Sequence, residues 1–292
     1  MARKKPTYTN IDGTFNLPGG FLLENALSAM NYVPVSDDII ITTYPKCGTT
    51  WMSHIVFLLA NKAEYPSDFR HLSTSVPFME FIGADAIQSL QRPRIMHTHI
   101  PCDRAVWSNE AKYIFVCRNP FDCCVSYFHH TKGLKVYYDW EEGTFDEFFE
   151  LFITGDKDYG DYFDHLNSWF SRKDKSNILF VTYEDMIEDI KTVIRNVGDF
   201  LGGQFQETAE DQQLLDQIVE KVSFKSMKKK EECFPRFQEG VSGAFLRKGI
   251  VGDYKNYFSH DQQQALSEKF REKCSHLPVY EKWSKYCTQS DQ

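Results

Sequence analysis

The sequence predicts a single α/β domain over residues 1–292, with a central parallel β-sheet flanked by helices and a phosphate-binding strand–loop–helix. Three segments support this fold class, because each has a short apolar run, a polar turn and then a helical stretch. Short β-rich runs that alternate with helices are typical of parallel sheets. No internal repeat, low-complexity tract or Pro/Gly-rich linker divides the chain, so we expect one domain.

The first two segments each join a strand to a helix. In the first, an apolar run over Asp38–Thr43 predicts a strand, and a helix is predicted over Thr49–Ala60. In the second, the strand is predicted at residues 113–117 and the helix at residues 123–131. Both turns between strand and helix are polar, which places them at the surface of the sheet edge.

The third segment has a strand at residues 177–182 and an amphipathic helix at residues 188–201. Ligands of parallel sheets bind beyond the carboxyl ends of the strands. Each of the three turns carries a residue suited to an anionic ligand. We therefore predict that one rim brings together Lys46, Arg118 and Tyr183.

Composition and charge argue against several classes of protein. Apolar residues make up 42% of the chain and aromatic residues 15%, which is enough for a buried core. The formal net charge of −8 disfavours a nucleic-acid partner, since proteins that hold many phosphates are basic. The longest apolar run, residues 55–60, is far shorter than the ~20 residues that span a bilayer. With no apolar region behind the basic N-terminus, we expect a cytoplasmic protein without a membrane partner.

The eight cysteines predict reduced thiols and no metal site. No pair has the C-x-x-C spacing of zinc ligands, and a disulfide scaffold would be shorter and richer in Cys. His97 and His99 are close in sequence, but no obvious carboxylate or Cys completes a ligand set. We therefore predict no bound metal.

The sequence Tyr-Pro-Lys-Cys-Gly-Thr-Thr-Trp at residues 44–51 indicates a phosphate site. Gly48 allows close backbone approach, and the amides of Thr49 and Thr50 open a helix whose N-terminus carries partial positive charge. Lys46 adds a full charge. The ordinary P-loop has its Lys after a second Gly, whereas this Lys precedes the only Gly of the turn. A plain turn with a solvated Lys is the structural alternative.

Two further segments suit a second phosphate. Arg118 follows the second strand, and Ser126 lies in the helix after it. Residues 245–255 combine three cations with two glycines, as in a loop that folds over an anion. The alternatives are an Arg118 pair with Asp122 and a solvated charge run. Together the segments indicate a nucleotide with phosphates at two separate places.

Histidines and aromatic residues are candidates for a second substrate site. In an extended chain, His97 and His99 would point to the same face. A histidine can take a proton from a hydroxyl near neutral pH. An ordinary core or surface His is the alternative, and core packing is equally open for Phe78 and Phe81. His130 is predicted in a helix or at its exit, in a pocket wall or at the surface.

These motifs, in this order, resemble the cytosolic sulfotransferase family. The resemblance covers nearly the whole chain, from about Tyr32 to Tyr257. Its motifs are the sequence at residues 44–51, Thr-His-Ile-Pro at 98–101, Arg118-Asn-Pro with Ser126, Tyr183-Glu-Asp-Met, and Arg247-Lys-Gly-x-x-Gly-Asp-Tyr-Lys.

The resemblance implies binding of 3′-phosphoadenosine 5′-phosphosulfate, with 3′-phosphoadenosine 5′-phosphate as product and no required metal. The 5′-phosphate would be held by Lys46, Cys47, Gly48, Thr49, Thr50 and Trp51. The 3′-phosphate would be held by Arg118, Ser126, Arg247, Lys248 and Gly249. The remaining nucleotide-binding residues, mostly around the adenine, would be Trp51, Tyr183, Val222, Phe224, Met227 and Phe245.

The resemblance also implies in-line transfer of a sulfuryl group to the hydroxyl of a small-molecule acceptor. His99 would be the general base, and Lys46 would stabilise charge on the leaving oxygen. An aromatic pocket favours phenols and catechols, including aryl monoamines, and leaves steroids and aliphatic alcohols open. The acceptor would be bound by Phe78, Phe81, His97, His99 and His130.

The chain departs from the family pattern in ways that bear on function. His97 stands where the family usually has Lys, so we expect a permanent cation to be replaced by a group that titrates near neutral pH. Cys47 replaces Ser in a loop whose amides matter more, and Val222 replaces a Thr that touches the adenine. The family's dimer segment is weakened here by three replacements, Ser259, His260 and Gln264. A homodimer is therefore left open.

Two other functions remain open from the residues alone. One is a nucleotide kinase of related fold, which would need ATP and Mg²⁺. The other is a nucleotide-binding scaffold without turnover, which the His97 departure allows.

Overall fold

A four-stranded parallel sheet forms the centre of the structure, a computed structural model that describes residues 5–229 and 246–287. Its strands, in spatial order, are β4 (Arg94–Thr98), β3 (Asp38–Thr43), β5 (Lys112–Cys117) and β6 (Ile178–Thr182). A separate antiparallel pair consists of β1 (Tyr8–Asn10) and β2 (Asn16–Pro18). Because helices flank a parallel sheet, the predicted fold class is confirmed.

The α-helices of the described residues follow the strands and cover the sheet. In chain order they are α1 (Leu23–Met30), α2 (Thr49–Ala60), α3 (Phe69–Ser75), α4 (Met79–Gln88), α5 (Pro120–Gly133), α6 (Lys135–Tyr138), α7 (Phe145–Thr154), α8 (Tyr162–Phe170), α9 (Tyr183–Glu188), α10 (Ile190–Leu201), α11 (Gly203–Glu210), α12 (Gln212–Lys221), α13 (Phe224–Lys229), α14 (His260–Cys274) and α15 (Pro278–Ser284).

Each face of the sheet has its own apolar core. Successive residues of β3 alternate between the two cores, with Ile40 in one cluster and Ile39 and Ile41 in the other. In β5, Phe115 joins the first cluster and Val116 the second. Burial on both faces explains why these strands are nearly continuous apolar runs.

Helix α2 has the predicted bounds, whereas α5 begins earlier than predicted, at Pro120. Asn119 caps α5, because its side chain accepts a hydrogen bond from the Asp122 N–H. Proline suits the first helical position, where an N–H would lack a partner. Ser126 therefore lies within α5, on the same helix face as His130, four residues later.

The third predicted helix, residues 188–201, corresponds to α10, which starts two residues later, whereas the predicted polar turn at Tyr183 forms the additional short helix α9. Asp189 lies between them, and its side chain accepts a hydrogen bond from the Thr192 N–H to cap α10. Helix α10 ends at the predicted residue, and Gly202 follows with a left-handed φ of 71°. Helix α9 forms in place of the predicted turn because Thr182 and Asp185 make a capping box at its start.

The carboxyl ends of the strands lie at one edge of the sheet. Thr43 is paired with Val116, and Cys117 with Thr182, so the three turns that follow are neighbours. None of the helices in the two described ranges has the length and apolar character that crossing a membrane requires.

Candidate active site

The turn between β3 and α2 contains two residues with a left-handed backbone, Lys46 (φ 70°) and Gly48 (φ 113°). Any other residue at position 48 would have a strained φ, and its Cβ would lie 3.2 Å from Tyr183 Cδ2. Within the described residues, no side chain caps α2 at Gly48. The first amides of α2 are therefore available to an anion, as the sequence predicted.

Cys47, which stands where the family has Ser, points away from the mouth of this turn. It is fully buried, and its Sγ lies 3.7 Å from Cys123 Sγ of α5. Its thiol therefore packs against the helix, while the backbone of the turn faces outward.

Lys46 lies between the turn and the histidines. Its Nζ is 3.5 Å from His130 Nδ1. Burial, with the positive charge of Arg118 as a smaller contribution, lowers the pKa of Lys46 to about 8. Lys46 is therefore charged at neutral pH and loses its charge under mildly alkaline conditions.

Arg118 crosses the rim from the end of β5. Its Nη1 donates a hydrogen bond to Lys46 O at 3.4 Å, and its Nη2 donates to Ile250 O at 3.2 Å. The guanidinium carbon lies 4.1 Å from the centre of the Tyr183 ring. The structure thus brings together the three residues predicted to share the rim.

Asp122 holds the glycine-containing segment onto α5. It accepts hydrogen bonds from the Gly252 N–H at 2.7 Å and the Tyr254 N–H at 3.1 Å. Within the described residues, Asp122 forms hydrogen bonds with these amides and with Asn119. The alternative pairing of Asp122 with Arg118 is therefore not formed. The Arg118 guanidinium is therefore not paired with the Asp122 carboxylate and faces the crevice at the end of β5.

The two cations of the glycine-containing segment share one carboxylate. Lys248 Nζ lies 2.7 Å from Asp253 Oδ1, and Arg247 Nη1 lies 2.5 Å from Asp253 Oδ2. Although burial opposes the shift, hydrogen bonds from these cations lower the pKa of Asp253 to about 2. Gly249 has a φ of 65°, and a Cβ there would lie 2.4 Å from the Phe224 ring, so that ring packs directly on the backbone.

The other residues predicted for the nucleotide lie on the α2 side of the sheet. The Trp51 and Tyr183 rings are 5.5 Å apart, edge to face. The Trp51 Nε1 is buried and has no partner among the described residues. Val222 and Met227 are buried in the apolar cluster against which Trp51 packs, and Phe245 lies outside the described residues.

His99 follows β4 and is oriented by hydrogen bonds. Its Nδ1 lies 2.9 Å from Thr43 O and 3.0 Å from Thr43 Oγ1, and its N–H donates to Glu80 Oε1 at 2.7 Å. A carbonyl oxygen can only accept, so Nδ1 carries the proton and Nε2 keeps a free lone pair. Burial lowers the pKa of His99 well below its usual value, so the ring is neutral at physiological pH.

His97 lies on the same side of the strand as His99, as the alternation of side chains along an extended strand predicted. The centres of the two rings are 6.4 Å apart. It stacks on Phe78 at 4.9 Å with 7° between the planes, and its Nδ1 donates to Val76 O at 3.0 Å. The prediction that His97 titrates near neutral pH is wrong, since burial lowers its pKa to about 4. Burial, with a smaller effect of Lys46, also lowers the pKa of His130 well below its usual value.

The predicted aromatic pair occupies two depths. Phe78 is half-buried beside the histidines, whereas Phe81 is 52% exposed. Both contact Phe21, at ring distances of 5.7 and 5.6 Å, and Phe21 also contacts Tyr137 at 6.0 Å. Phe21 and Tyr137 belong to this aromatic cluster and were not predicted from the sequence.

Glu80 and His165, which hold His99, were not predicted from the sequence. Glu80 is fully buried in α4, and burial raises its pKa to about 8, so the carboxyl is neutral at pH 7. His165 of α8 has its Nε2 3.1 Å from His99 O. Nothing in the sequence marks Glu80 or His165, whereas Thr43 directly precedes the phosphate motif. In the described ranges, no group of three or more His, Cys, Asp or Glu residues could hold a metal ion.

The fold and this site define an α/β protein that combines a rim of cationic side chains with a buried, neutral histidine. A family model described as "Sulfotransferase domain" matches residues 36–278. Sulfotransferase 1C2 of Oryctolagus cuniculus is 35% identical over 274 residues, which cover 88% of this chain and 90% of that protein. Its Homo sapiens counterpart is 33% identical over 278 residues, 90% of this chain and 91% of that protein.

Among solved structures, the mouse sulfotransferase SULT7A1 complexed with PAP matches with a TM-score of 0.76 and 25% identity. The match covers 97% of this chain and all of that chain (100%). The chain belongs to the cytosolic sulfotransferase family.

Proposed function

We propose that the chain, acting as one domain over residues 1–292, transfers the sulfuryl group of 3′-phosphoadenosine 5′-phosphosulfate to the hydroxyl of a small acceptor. The observation that carries this proposal is the place of His99, whose unprotonated Nε2 belongs to the same crevice as the Lys46 cation. The solved mouse relative is complexed with PAP, which supports the same nucleotide here.

The residues at the rim fit a nucleotide with two separate phosphates. The turn at Gly48 leaves amides without a side-chain cap for the 5′-phosphate, with Thr49 and Thr50 opening α2. Arg118 and Lys248 supply charge for the 3′-phosphate, and Arg118 Nε is buried with no partner among the described residues. The adenine would be enclosed by the aromatic rings of Trp51, Tyr183 and Phe224, beside Val222 and Met227.

When bound, the nucleotide supplies an activated sulfuryl group on its 5′-phosphate. His99 Nε2 accepts the proton of the acceptor hydroxyl as the new oxygen–sulfur bond forms. Lys46 stabilises the negative charge that remains on the phosphate oxygen when the old sulfur–oxygen bond breaks. Neither step requires a metal, since the charge is balanced by side chains.

The acceptor that we propose is a phenol or catechol, including aryl monoamines. Phe78 stacks on His97, which fixes the orientation of its ring. Phe21 and Phe81 extend the aromatic surface beyond Phe78. The histidines around it are neutral, so they add no positive charge that would repel a protonated amine.

We also propose that the enzyme works in the cytoplasm on small molecules, without a nucleic-acid or membrane partner. The weakened dimer segment has an internal role, because Ser259 caps α14 by accepting a hydrogen bond from the Gln262 N–H. This role gives no support to a homodimer by that route.

The test is a transfer assay with labelled 3′-phosphoadenosine 5′-phosphosulfate in EDTA, over phenols, catecholamines, aliphatic alcohols and sterols. We expect turnover in EDTA, with phenols and catechols ahead of sterols. Transfer from ATP that requires Mg²⁺ would indicate a nucleotide kinase. Tight binding of the nucleotide with no transfer to any acceptor would indicate a scaffold, and either result would overturn the proposal.

A further inference from the structure

A buried hydroxyl connects the two halves of the site. Thr43, the last residue of β3, is fully buried, and its Oγ1 lies 2.6 Å from Thr49 Oγ1 and 3.0 Å from His99 Nδ1. Thr49 is the first residue of α2, on the phosphate side, whereas His99 lies on the acceptor side. A single side chain therefore touches both functions.

The donors and acceptors in this chain of groups have one consistent direction. His99 Nδ1 carries a proton, because Thr43 O can only accept, and that proton is shared between Thr43 O and Thr43 Oγ1. Thr43 Oγ1, which then accepts from His99, has its own proton to donate to Thr49 Oγ1 at 2.6 Å. In that arrangement the hydroxyl proton of Thr49 is free for an anion at the start of α2.

We propose that Thr43 is a positioning residue that couples nucleotide binding to the basicity of His99. The inference rests on the proposed function, in which the Thr49 hydroxyl meets the 5′-phosphate. An anion that accepts the Thr49 proton polarises each hydroxyl in turn and strengthens the hydrogen bond from His99 Nδ1. Electron density on the ring rises, so Nε2 is a stronger base when the donor is present. These hydrogen bonds through Thr43 also stabilise the His99 imidazolium that forms during transfer.

Other groups around His99 act on its basicity as well, and the experiment must separate them from Thr43. They approach from five elements: His97 of β4, Glu80 of α4, His165 of α8, His130 of α5 and Lys46 of the turn. The nucleotide adds its own charge directly. All of these influences remain when only the Thr43 hydroxyl is removed.

The test compares Thr43→Val, which removes the hydroxyl at nearly constant volume, with Thr43→Ser, which keeps it. Thr42→Val is the matched control, because Thr42 Oγ1 is buried in the same strand without a partner among the described residues. In each protein the His99 Nδ1–H resonance is followed by NMR at pH 7.5 as PAP is added, with assignment from the His99→Ala spectrum. The carbonyl of Thr43 keeps this proton in place in every variant.

We expect PAP to move the Nδ1–H resonance downfield in the wild type, Thr43→Ser and Thr42→Val, and by less than half as much in Thr43→Val. We also expect kcat of Thr43→Val to fall about tenfold, with the Kd for PAP within about threefold of the wild type. If Thr43→Val does not fold, Thr43→Ala carries the same comparison.

An equal shift in Thr43→Val and Thr42→Val, while both bind PAP, would overturn the coupling and leave the proposed function standing. A wild-type protein that fails to bind PAP would overturn the proposed function and the coupling with it.

Discussion

The side of the crevice that we propose for the nucleotide (the nucleotide side) and the side that we propose for the acceptor (the acceptor side) are built from opposite kinds of group. The nucleotide side presents permanent or near-permanent cations, Arg118, Lys248 and Lys46, together with the open amides of α2. The acceptor side presents rings that burial keeps neutral, His97 and His99, each with a backbone carbonyl on Nδ1. The two sides meet where Lys46 lies 3.5 Å from His130.

This difference shows how one crevice can perform two electrostatic tasks. Binding a multiply charged nucleotide needs cations that stay charged, and accepting a proton needs a base that stays uncharged. Burial supplies the second condition by lowering the pKa of the histidines. Burial also lowers the pKa of Lys46, to about 8, so this cation is close to losing its proton at neutral pH.

The largest expected effect comes from the nucleotide side. Arg118→Ala should weaken binding of PAP about 100-fold, because charge-assisted hydrogen bonds to an anion contribute about 1.5–3 kcal/mol each. Binding of adenosine 5′-phosphate, which has no 3′-phosphate, should change about threefold at most. Calorimetric titration of both nucleotides measures the two losses. The matched control is Arg104→Ala, since Arg104 pairs with Asp12 instead. Equal losses for both nucleotides would remove Arg118 from the 3′-phosphate site.

On the acceptor side, Glu80 should make stability depend on pH. Burial raises its pKa in the folded state to about 8, so the folded protein holds a proton that the unfolded chain releases above about 4.5. The stability from this proton is therefore lost as pH rises from about 4.5 to about 8, by at most about 1.4 kcal/mol per pH unit.

Urea unfolding at pH 5, 6, 7 and 8 checks this with Glu80→Gln, which keeps an uncharged acceptor for the His99 N–H. The free energy of unfolding of Glu80→Gln, relative to the wild type, should rise with pH. A constant difference across this range would contradict a neutral, buried Glu80.

Lys46 should set the alkaline limit of activity. Its folded-state pKa of about 8 predicts that kcat/KM falls toward a tenfold loss per pH unit above about pH 8, as the cation is lost. Lys46→Arg should lose activity for geometric reasons but keep a flat profile from pH 8 to 9.5, because guanidinium stays charged. A wild-type profile that is also flat there would show that Lys46 keeps its proton.

The smallest effect is expected at His97, where the sequence had suggested a titrating group. Because burial holds its pKa near 4, His97 is already neutral throughout the working range. His97→Gln should therefore give kcat/KM values within about threefold of the wild type and a superimposable profile from pH 5.5 to 8. An inflection near pH 6.5 that disappears in His97→Gln would restore the sequence-based expectation.

The turn and the cations of the proposed nucleotide side could be predicted from the sequence because their signals are local. Gly48, Lys46 and the bounds of α2 follow from one strand–turn–helix, and Arg118 follows from the same pattern one strand later. The acceptor side could not be predicted to the same depth. Glu80 reaches His99 across 19 positions of sequence, and the pKa of His97 depends on burial that only the packed molecule supplies. Helix α9 was missed because the polar residues at its start suggest a turn, whereas Thr182 and Asp185 form a capping box in the folded protein.

The division of labour between the two sides is tested most directly by one paired measurement on His99→Ala: kcat for a phenol acceptor and the Kd for PAP in the same preparation. His71→Ala is the control, since His71 of α3 accepts a hydrogen bond from the Ser67 N–H at 3.2 Å, outside the crevice. We predict that kcat falls at least about 100-fold, while the Kd for PAP stays within about tenfold, or ~1.4 kcal/mol. Retained turnover, or a loss of PAP binding as large as the loss of kcat, would contradict the assignment of His99 as the base.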